Sequence, residues 1–284
     1  MDGKVSAGGA PTHPGHETVL SGPELGGLGP LVLEHPPGTF HLTPASRITL
    51  EGVARRRDAL AGTGLDWGSG VGGLAILAAR IPGVARVVGL DLCPGNVETA
   101  RLNAARNGVE EKVRFVAADS FRPLDPGDAP LLNGLRGRVD FLLANPPAAE
   151  TGDGFAFRRR ILTGARAFLR PDAIALLQIS AQYGGDRIRS LETDVPGFRW
   201  DGPVASTEPV PFDLDRPDLR DCLELYARTE EAGGREYAFE APEGDGTMTA
   251  SEALDRFRRE GEHPLARWQV HEFRWEPDGS PRGA

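Results

Sequence analysis

GLDWGSGVGGLAILAARI, residues 64–81, is the stretch that decides the fold. Gly64–Trp67 reads as a short strand, and the run of Ala, Leu and Ile from Gly73 to Ile81 reads as a buried helix. Between them stand Gly68, Gly70 and Gly72. Glycine permits a sharp turn from strand to helix and lets a ligand lie against the main chain with no Cβ in the way. The free N–H groups at the start of the following helix suit an anionic ligand group.

Outward from this turn the pattern repeats. VARVVGLDL (84–92) reads as a strand, and PGNVETARLNAARNG (94–108) as a helix with Pro94 near its start and Gly108 just past its end. KVRFVAA (112–118), RVDFLLAN (138–145) and DAIALLQIS (172–180) are further strands, with a helix around Phe155–Leu169. Such alternation means parallel βαβ units, whose strands are apolar almost throughout because both faces are covered. Upstream, LVLEHPPGTF (31–40) is an extended lead-in, and SRITLEGVARRRDAL (46–60) an amphipathic helix capped by Ser46. Downstream, FRWDGPVAS (198–206) is a sixth strand, PDLRDCLELYART (217–229) and TASEALDRFRREG (249–261) are helices, and ARWQVHEFRW (266–275) alternates like a final strand.

The composition narrows the function. A chain of 284 residues allows one large domain or two small ones. Net charge is −9 and the pI about 5.3, which argues against nucleic acid as a partner because its binding relies on a basic footprint. The two cysteines, Cys93 and Cys222, form no CxxC, and no carboxylate cluster joins the histidines, so neither a disulfide framework nor a metal is expected. No apolar run approaches the roughly 20 residues that span a bilayer, and no secretory signal is visible, so the expected location is cytoplasmic, away from membranes.

Three carboxylates share one edge of the expected sheet. Asp66 precedes the glycines, Asp91 ends the second strand with Leu92 behind it, and Asp119 with Ser120 follows the third. In a parallel sheet all three lie at the carboxyl edge, where such folds bind ligands. Asp91 suits ribose hydroxyls. Asp66 repels a pyrophosphate but favours an ammonium or sulfonium, and Asp119 can accept from an adenine amino group. The same glycines also spell G-x-G-x-x-G through Gly68, Gly70 and Gly73, so a dinucleotide oxidoreductase is a rival reading.

A second stretch bears on the choice. In FLLANPPAAE (141–150) an apolar run stops at Asn145 and two prolines follow. A proline cannot donate to a sheet ladder, so a plain exit loop explains them; a reaction site explains them too.

Residues 64–180 resemble the class I S-adenosylmethionine-dependent methyltransferases. LDWGSGVGG looks like their first motif, VVGLDL their second, VAADSF their adenine loop, and FLLANPP the Asn-Pro-Pro motif of members that methylate amino groups. The nearest likeness is to the glutamine methyltransferases of peptide-chain release factors, whose second helix carries text similar to ETARLNAARNG. The resemblance implies a doubly wound, Rossmann-like α/β sheet of about seven strands, the last antiparallel, and S-adenosyl-L-methionine as cofactor. It puts Asp66, Gly68, Gly70 and Gly72 at the methionine part, Asp91 and Leu92 at the ribose, Asp119 and Ser120 at the adenine, and Asn145 between cofactor and acceptor. The chain then divides into a flexible arm (1–30), a lead-in (31–63), the cofactor-binding core (64–206), and a helical insertion that roofs the substrate and ends in the last strand (207–284), with residues 207–262 too polar for a separate core.

In this reading Asn145 and Pro146 are catalytic. Methyl transfer runs in line, and planar nitrogens hold their lone pair in conjugation. The Asn145 side-chain oxygen and the Pro146 carbonyl can take both N–H bonds and aim the lone pair at the methyl group. Where relatives place an aromatic after the prolines, this chain has Ala148, so Trp67, Phe155, Phe157 or Tyr183 must supply any wall. Pro147, Ala148, Ser180, Gln182, Tyr183 and Glu208 are the substrate-pocket candidates. Arg158-Arg159-Arg160 reads as a solvated helix face, and His41 with Thr43-Pro44 as a helix lead-in. Residues 1–63 are too short and too rich in Gly and Pro for the relatives' helical bundle. The expected acceptor is therefore an amino, amide or guanidino group on a small molecule of specialised metabolism. The alternatives are a protein glutamine, a cyclising or aminoalkyl-transferring use of the cofactor, and a nucleoside-binding protein without catalysis.

Overall fold

The computed structural model describes residues 15–37, 39, 42–147, 153–242 and 246–277. It opens with a hairpin of β1 (His16–Leu20) and β2 (Leu31–His35), Leu20 opposite Leu31. Residues 15–30 are therefore not the loose arm expected. Leu20 and Leu25 are buried with Leu31 and Leu33 against the helices that follow, which holds down a stretch otherwise rich in Gly and Pro. Helix α1 (Pro44–Arg55) comes next, capped by Thr43 rather than Ser46: the Thr43 hydroxyl accepts the Ser46 N–H at 3.2 Å. Pro44 sets this register, since the first helical turn has no use for its missing N–H.

Strand and helix then alternate through β3 (Gly62–Trp67), α2 (Gly73–Ala79), β4 (Val84–Asp91), α3 (Pro94–Arg106) and β5 (Val113–Asp119). A two-residue β6 (Arg122–Pro123) and a short α4 (Ala129–Asn133) lead to β7 (Val139–Ala144), α5 (Ala156–Ala165), β8 (Leu169–Gln178), α6 (Gly185–Asp194) and β9 (Phe198–Ser206). Helix α5 is shorter than expected, because Leu169 already pairs with Val139 as the first residue of β8. The chain continues through β10 (Val210–Pro211), α7 (Pro217–Glu231), β11 (Phe239–Glu240), β12 (Thr247–Met248), α8 (Ala250–Glu260) and β13 (Leu265–Ala266) to β14 (Gln269–Trp275).

The main sheet has the order β6-β5-β4-β3-β7-β8-β14-β9. β5, β4, β3, β7 and β8 run parallel, and β14 is antiparallel to both of its neighbours. Short β6 adds an eighth strand at the edge beside β5. From β3 the chain builds outward through β4 and β5, then returns with β7 to the other side of β3. That reversal opens a crevice at the carboxyl ends of β3 and β7. Trp67 pairs with Ala144, so the glycine turn and Asn145 leave the sheet side by side.

The segment from β10 to β13 is not only helical. It also folds a four-stranded antiparallel sheet, β10-β13-β11-β12. Its buried rings, among them Phe212, Tyr226 and Phe239, belong to one apolar cluster with Phe155 and Tyr183 of the main body. Among the described residues no helix is long and apolar enough to cross a membrane.

Candidate functional site

The glycine turn does two jobs. Gly68, Gly70 and Gly72 have φ of 70°, 53° and 94°, a region that strains any residue with a side chain. Among the described residues, a Cβ on Gly68 or Gly70 would meet nothing within 4 Å, so these two present bare backbone to open space. A Cβ on Gly72 would lie 2.8 Å from Phe115 Cζ, so this glycine serves packing. The Leu90 carbonyl accepts from Gly68 N (2.8 Å) and Ser69 N (2.9 Å) and pins the turn to β4.

Asp91 is braced on several sides. Gly70 N donates to Oδ2 at 2.8 Å, and Cys93 N and Asn96 Nδ2 donate to Oδ1 at 2.9 and 3.0 Å. It remains half-buried at the mouth of the crevice, beside Leu92, which is 53 % exposed. A fixed carboxylate next to a bare apolar side chain suits a sugar with its base. Asn103 was not foreseen as a site residue. Fully buried on α3, it donates to Val71 O at 3.0 Å and Glu34 O at 3.1 Å and accepts from Glu34 N at 2.9 Å, which ties the glycine turn to β2. An Asn on the buried face of a helix was the available signal, since such a group needs backbone partners.

Asp66 lies under the turn and not on its surface. It is fully buried, and its Oδ2 accepts from Ala75 N at 3.1 Å and anchors α2. Burial pushes its carboxyl up to about 7, with the Ala75 N–H pulling down and the charge of Asp91 pushing up. The other oxygen, Oδ1, is buried without a hydrogen-bond partner among the described residues, as is the neighbouring Ser69 Oγ. Asp119 and Ser120 sit at the far rim with partners already. Asp119 Oδ1 accepts from Arg160 Nη2 at 2.8 Å, and the Ser120 hydroxyl accepts from Trp67 Nε1 at 2.9 Å. Ser120 is left-handed at φ 57°, strain that the Trp67 bond helps to hold.

At the other strand end, Asn145 is half-buried and its Nδ2 donates to Ser46 Oγ at 3.3 Å. Pro146 is buried and Pro147 exposed, while Ala148 lies outside the described residues. Behind the prolines stands Arg158, 2 % exposed, and this corrects the solvated-face reading. Its Nη1 donates to Pro147 O (3.0 Å) and Gly154 O (3.2 Å), and its Nη2 to Pro146 O (3.3 Å) and Gln178 O (3.2 Å). Its neighbours turn outward: Arg159 pairs with Asp153 and Asp194, and Arg160 with Asp119. Helical spacing held the clue, because Arg158 falls on one face with the buried Phe155, Leu162 and Ala165.

Other pocket candidates lie elsewhere. Ser180, Gln182 and Tyr183 are each 3 % exposed, because a tight turn after β8 folds them inward. Ser180 Oγ accepts from Gln178 Nε2, and the Tyr183 and Tyr226 hydroxyls meet at 2.8 Å. Burial raises the Tyr183 pKa. Phe155 packs edge-on against Tyr183 in the same core. Glu208 has a side chain 94 % exposed, 3.8 Å from Arg267. Trp67 and Phe157, with ring centroids 6.2 Å apart, remain half-buried near the crevice. His41 lies outside the described residues. Among the described residues, Asp213, Asp215 and His263 are near enough to share an ion. His263 Nδ1 accepts the Leu214 N–H at 3.0 Å, however, so the neutral ring carries its proton on Nε2 and offers no ligand there.

A family model described as methyltransferase small domain matches residues 34–192, more than half of the chain. The release factor glutamine methyltransferase of Chlorobaculum tepidum is 31% identical over 149 residues, 45% of this chain and 48% of that protein. Its counterpart in Moorella thermoacetica is 28% identical over 189 residues, 56% of this chain and 63% of that protein. The ribosomal protein uL3 glutamine methyltransferase of Neisseria meningitidis serogroup A is 26% identical over 164 residues, 50% of each. The chain thus spans between about half and just under two-thirds of the length of these relatives. A bare glycine floor, a braced Asp91 and an Asn-Pro-Pro at the adjoining strand end agree with that match: the chain belongs to the methyltransferase small-domain family.

Proposed function

We propose that this protein transfers a methyl group from S-adenosylmethionine to the side-chain amide nitrogen of a glutamine in a protein. The observation that carries the reading is the setting of Asn145. It emerges one residue past the Trp67–Ala144 pair, beside the glycine turn, with its amide nitrogen engaged by Ser46 and its oxygen, among the described residues, left to accept. The relatives' names, which speak of release factors and a ribosomal protein, favour a protein acceptor over the small molecule expected from the sequence.

The residues present fit the cofactor. Gly68 and Gly70 leave space above the turn, Asp91 is braced yet half-exposed, and the free Oδ1 of Asp66 lies beneath. Gly68 and Gly70, over Asp66, would hold the methionine part, and Asp91 with Leu92 the ribose. Asp119, through the oxygen that Arg160 does not take, would join Ser120 at the adenine. When bound, S-adenosylmethionine supplies an electrophilic methyl group on a sulfonium.

The chain's own contribution is placement. Asn145 Oδ1 accepts one N–H of the acceptor amide and Pro146 O the other, which fixes the amide plane and turns the nitrogen toward the methyl group; as the N–C bond forms and the methyl–sulfur bond breaks, the nitrogen gives up one of those two protons to water. Arg158, in turn, stiffens the loop by gripping both proline carbonyls. It also puts a permanent positive charge behind them. A like charge on the acceptor, about 6 Å away, costs on the order of 2–3 kcal/mol at an effective dielectric of about 20. A neutral amide escapes that cost, whereas an ammonium or guanidinium does not.

The test is to incubate the protein with methyl-labelled S-adenosylmethionine and a release factor, ribosomal protein uL3, free glutamine or simple amines, then locate the label by mass spectrometry. Label on a glutamine of a protein, with release of S-adenosylhomocysteine, is the expected result. Label confined to a small molecule overturns the protein acceptor, and release of methylthioadenosine overturns methyl transfer. Asn145→Ala should lower kcat by about 100-fold or more, the usual cost of removing a group that orients or stabilises the reacting centre.

A further inference from the structure

Ser46 and Asn145 are 99 positions apart in sequence and in contact in the fold. Ser46 stands in the first turn of α1, where its own N–H is taken by the Thr43 hydroxyl and its Oγ lies 3.1 Å from Thr43 Oγ1. A primary amide has an oxygen and a nitrogen of nearly the same shape on a broad torsion, and only its partners decide which end points where. Asn145 Nδ2 donates to Ser46 Oγ. The Ser46 proton is then free to go to Thr43 Oγ1, and the amide plane turns Oδ1 away from α1.

We propose that Ser46 is a positioning residue for the transfer reaction: by accepting from Nδ2 it locks the Asn145 amide with the oxygen presented to the acceptor. Without that bond the amide is free to rotate and present its NH2 group to the acceptor, a donor facing a donor. The lead-in segment before the sheet thereby becomes part of the reaction centre, with Thr43 orienting the hydroxyl. This inference rests on the reading of Asn145 as the group that accepts from the substrate amide.

A plain helix-capping role does not account for Ser46. Thr43 is the cap, and α1 is held by the buried side chains of Ile48, Leu50 and Val53. Alanine at position 46 keeps the backbone bond to Thr43 and is a better helix former than serine, so Ser46→Ala should fold. Ser46→Thr retains the hydroxyl and serves as the rescue.

The experiment uses the full chain as wild type, Ser46→Ala, Ser46→Thr, Asn145→Ala and the Ser46→Ala/Asn145→Ala double variant. The first readout needs neither cofactor nor acceptor. In protein labelled with 15N-asparagine, the Asn145 side-chain amide pair is assigned by its absence from the Asn145→Ala spectrum. Ser46→Ala should move that pair and hasten its proton exchange with water, and Ser46→Thr should restore it. The second readout is turnover on the methylated protein. Ser46→Ala should lower kcat about tenfold with KM changed by less than about twofold, the loss of one hydrogen bond that matters in the transition state. Ser46→Thr should recover most of it, and the double variant should be no slower than Asn145→Ala alone. Unmoved Asn145 resonances, wild-type turnover in Ser46→Ala, or fully additive losses would each overturn the proposal. A wild-type protein that methylated no amide would defeat the proposed function instead, and the resonance shift would still decide whether Ser46 sets the amide.

Discussion

Arg158 keeps a full positive charge 2 % exposed, with four backbone carbonyls around it and, among the described residues, no carboxylate within 4.0 Å. Such an arrangement persists because the guanidinium fork matches the carbonyls of Pro146, Pro147, Gly154 and Gln178 together, joining the ends of β7 and β8 to the start of α5. Replacement by leucine leaves those carbonyls without their donor. Arg158→Leu should lower the unfolding free energy by about 3 kcal/mol or more, read from urea unfolding. Arg158→Lys should recover little of it, since a single ammonium cannot span four acceptors; a lysine variant as stable as wild type would refute the fork. In the sequence, the three consecutive arginines read as one solvated patch. Only the helical phase separates Arg158 from its two neighbours, and only the tertiary fold supplies the carbonyls that make burial tolerable.

Among the elements, the turn from β3 to α2 shows how one glycine-rich string can meet different demands. Gly70→Ala adds a methyl group to open space, so the cost to folding is the left-handed backbone alone, about 1–2 kcal/mol. The same methyl group would stand where the cofactor should lie, so affinity for S-adenosylhomocysteine should fall at least tenfold by calorimetry. Gly72→Ala meets Phe115 at 2.8 Å on top of a φ of 94°, so it should destabilise by about 2–4 kcal/mol. Equal thermal shifts in the two variants would contradict this division. The boundaries of most elements were legible from glycine, proline and apolar spacing. The N-cap of α1 was not, because Thr43 and Ser46 are both good caps and the fixed φ of Pro44 settles which one is used. The small sheet of the β10–β13 segment escaped notice because each of its strands is only two residues long, too short for any alternation to register.

For the whole molecule, stability against pH is set in part by two buried groups that oppose each other. Burial raises Asp66 from 3.8 to about 7, so the folded state keeps a proton that the unfolded chain has released. That contribution is fully present below about pH 4 and is lost as the pH climbs through about 7. His271 sits in β14, its Nδ1 accepting from Trp200 Nε1 at 3.1 Å and its Nε2 donating to Ile179 O at 3.2 Å. Burial lowers it from 6.5 to about 4, against the upward pull of the Ile179 carbonyl. Its contribution is present above about pH 6.5 and is lost as the pH falls through about 4. Each slope is at most about 1.4 kcal/mol per pH unit, and the two largely offset between about pH 4 and 6.5. Asp66→Asn should therefore steepen the loss of stability in acid, and His271→Gln should leave a decline as the pH rises. Denaturant unfolding at intervals from about pH 4 to 8 measures both; variants that run parallel to the wild type would show that neither group titrates as described.

The parallel alternation, the carboxyl-edge placement of Asp66, Asp91 and Asn145, and the likeness to methyltransferases were all determined by the sequence alone, because these features depend on local periodicity and on residue types at fixed spacing. What faces what was decided only in three dimensions. Tyr183 and Ser180 went into the core, Arg160 took an oxygen of Asp119, and Ser46 met Asn145 across the first turn of α1. The physical reason is that burial and hydrogen-bond partnership belong to pairs of distant segments, which no spacing along a single chain encodes.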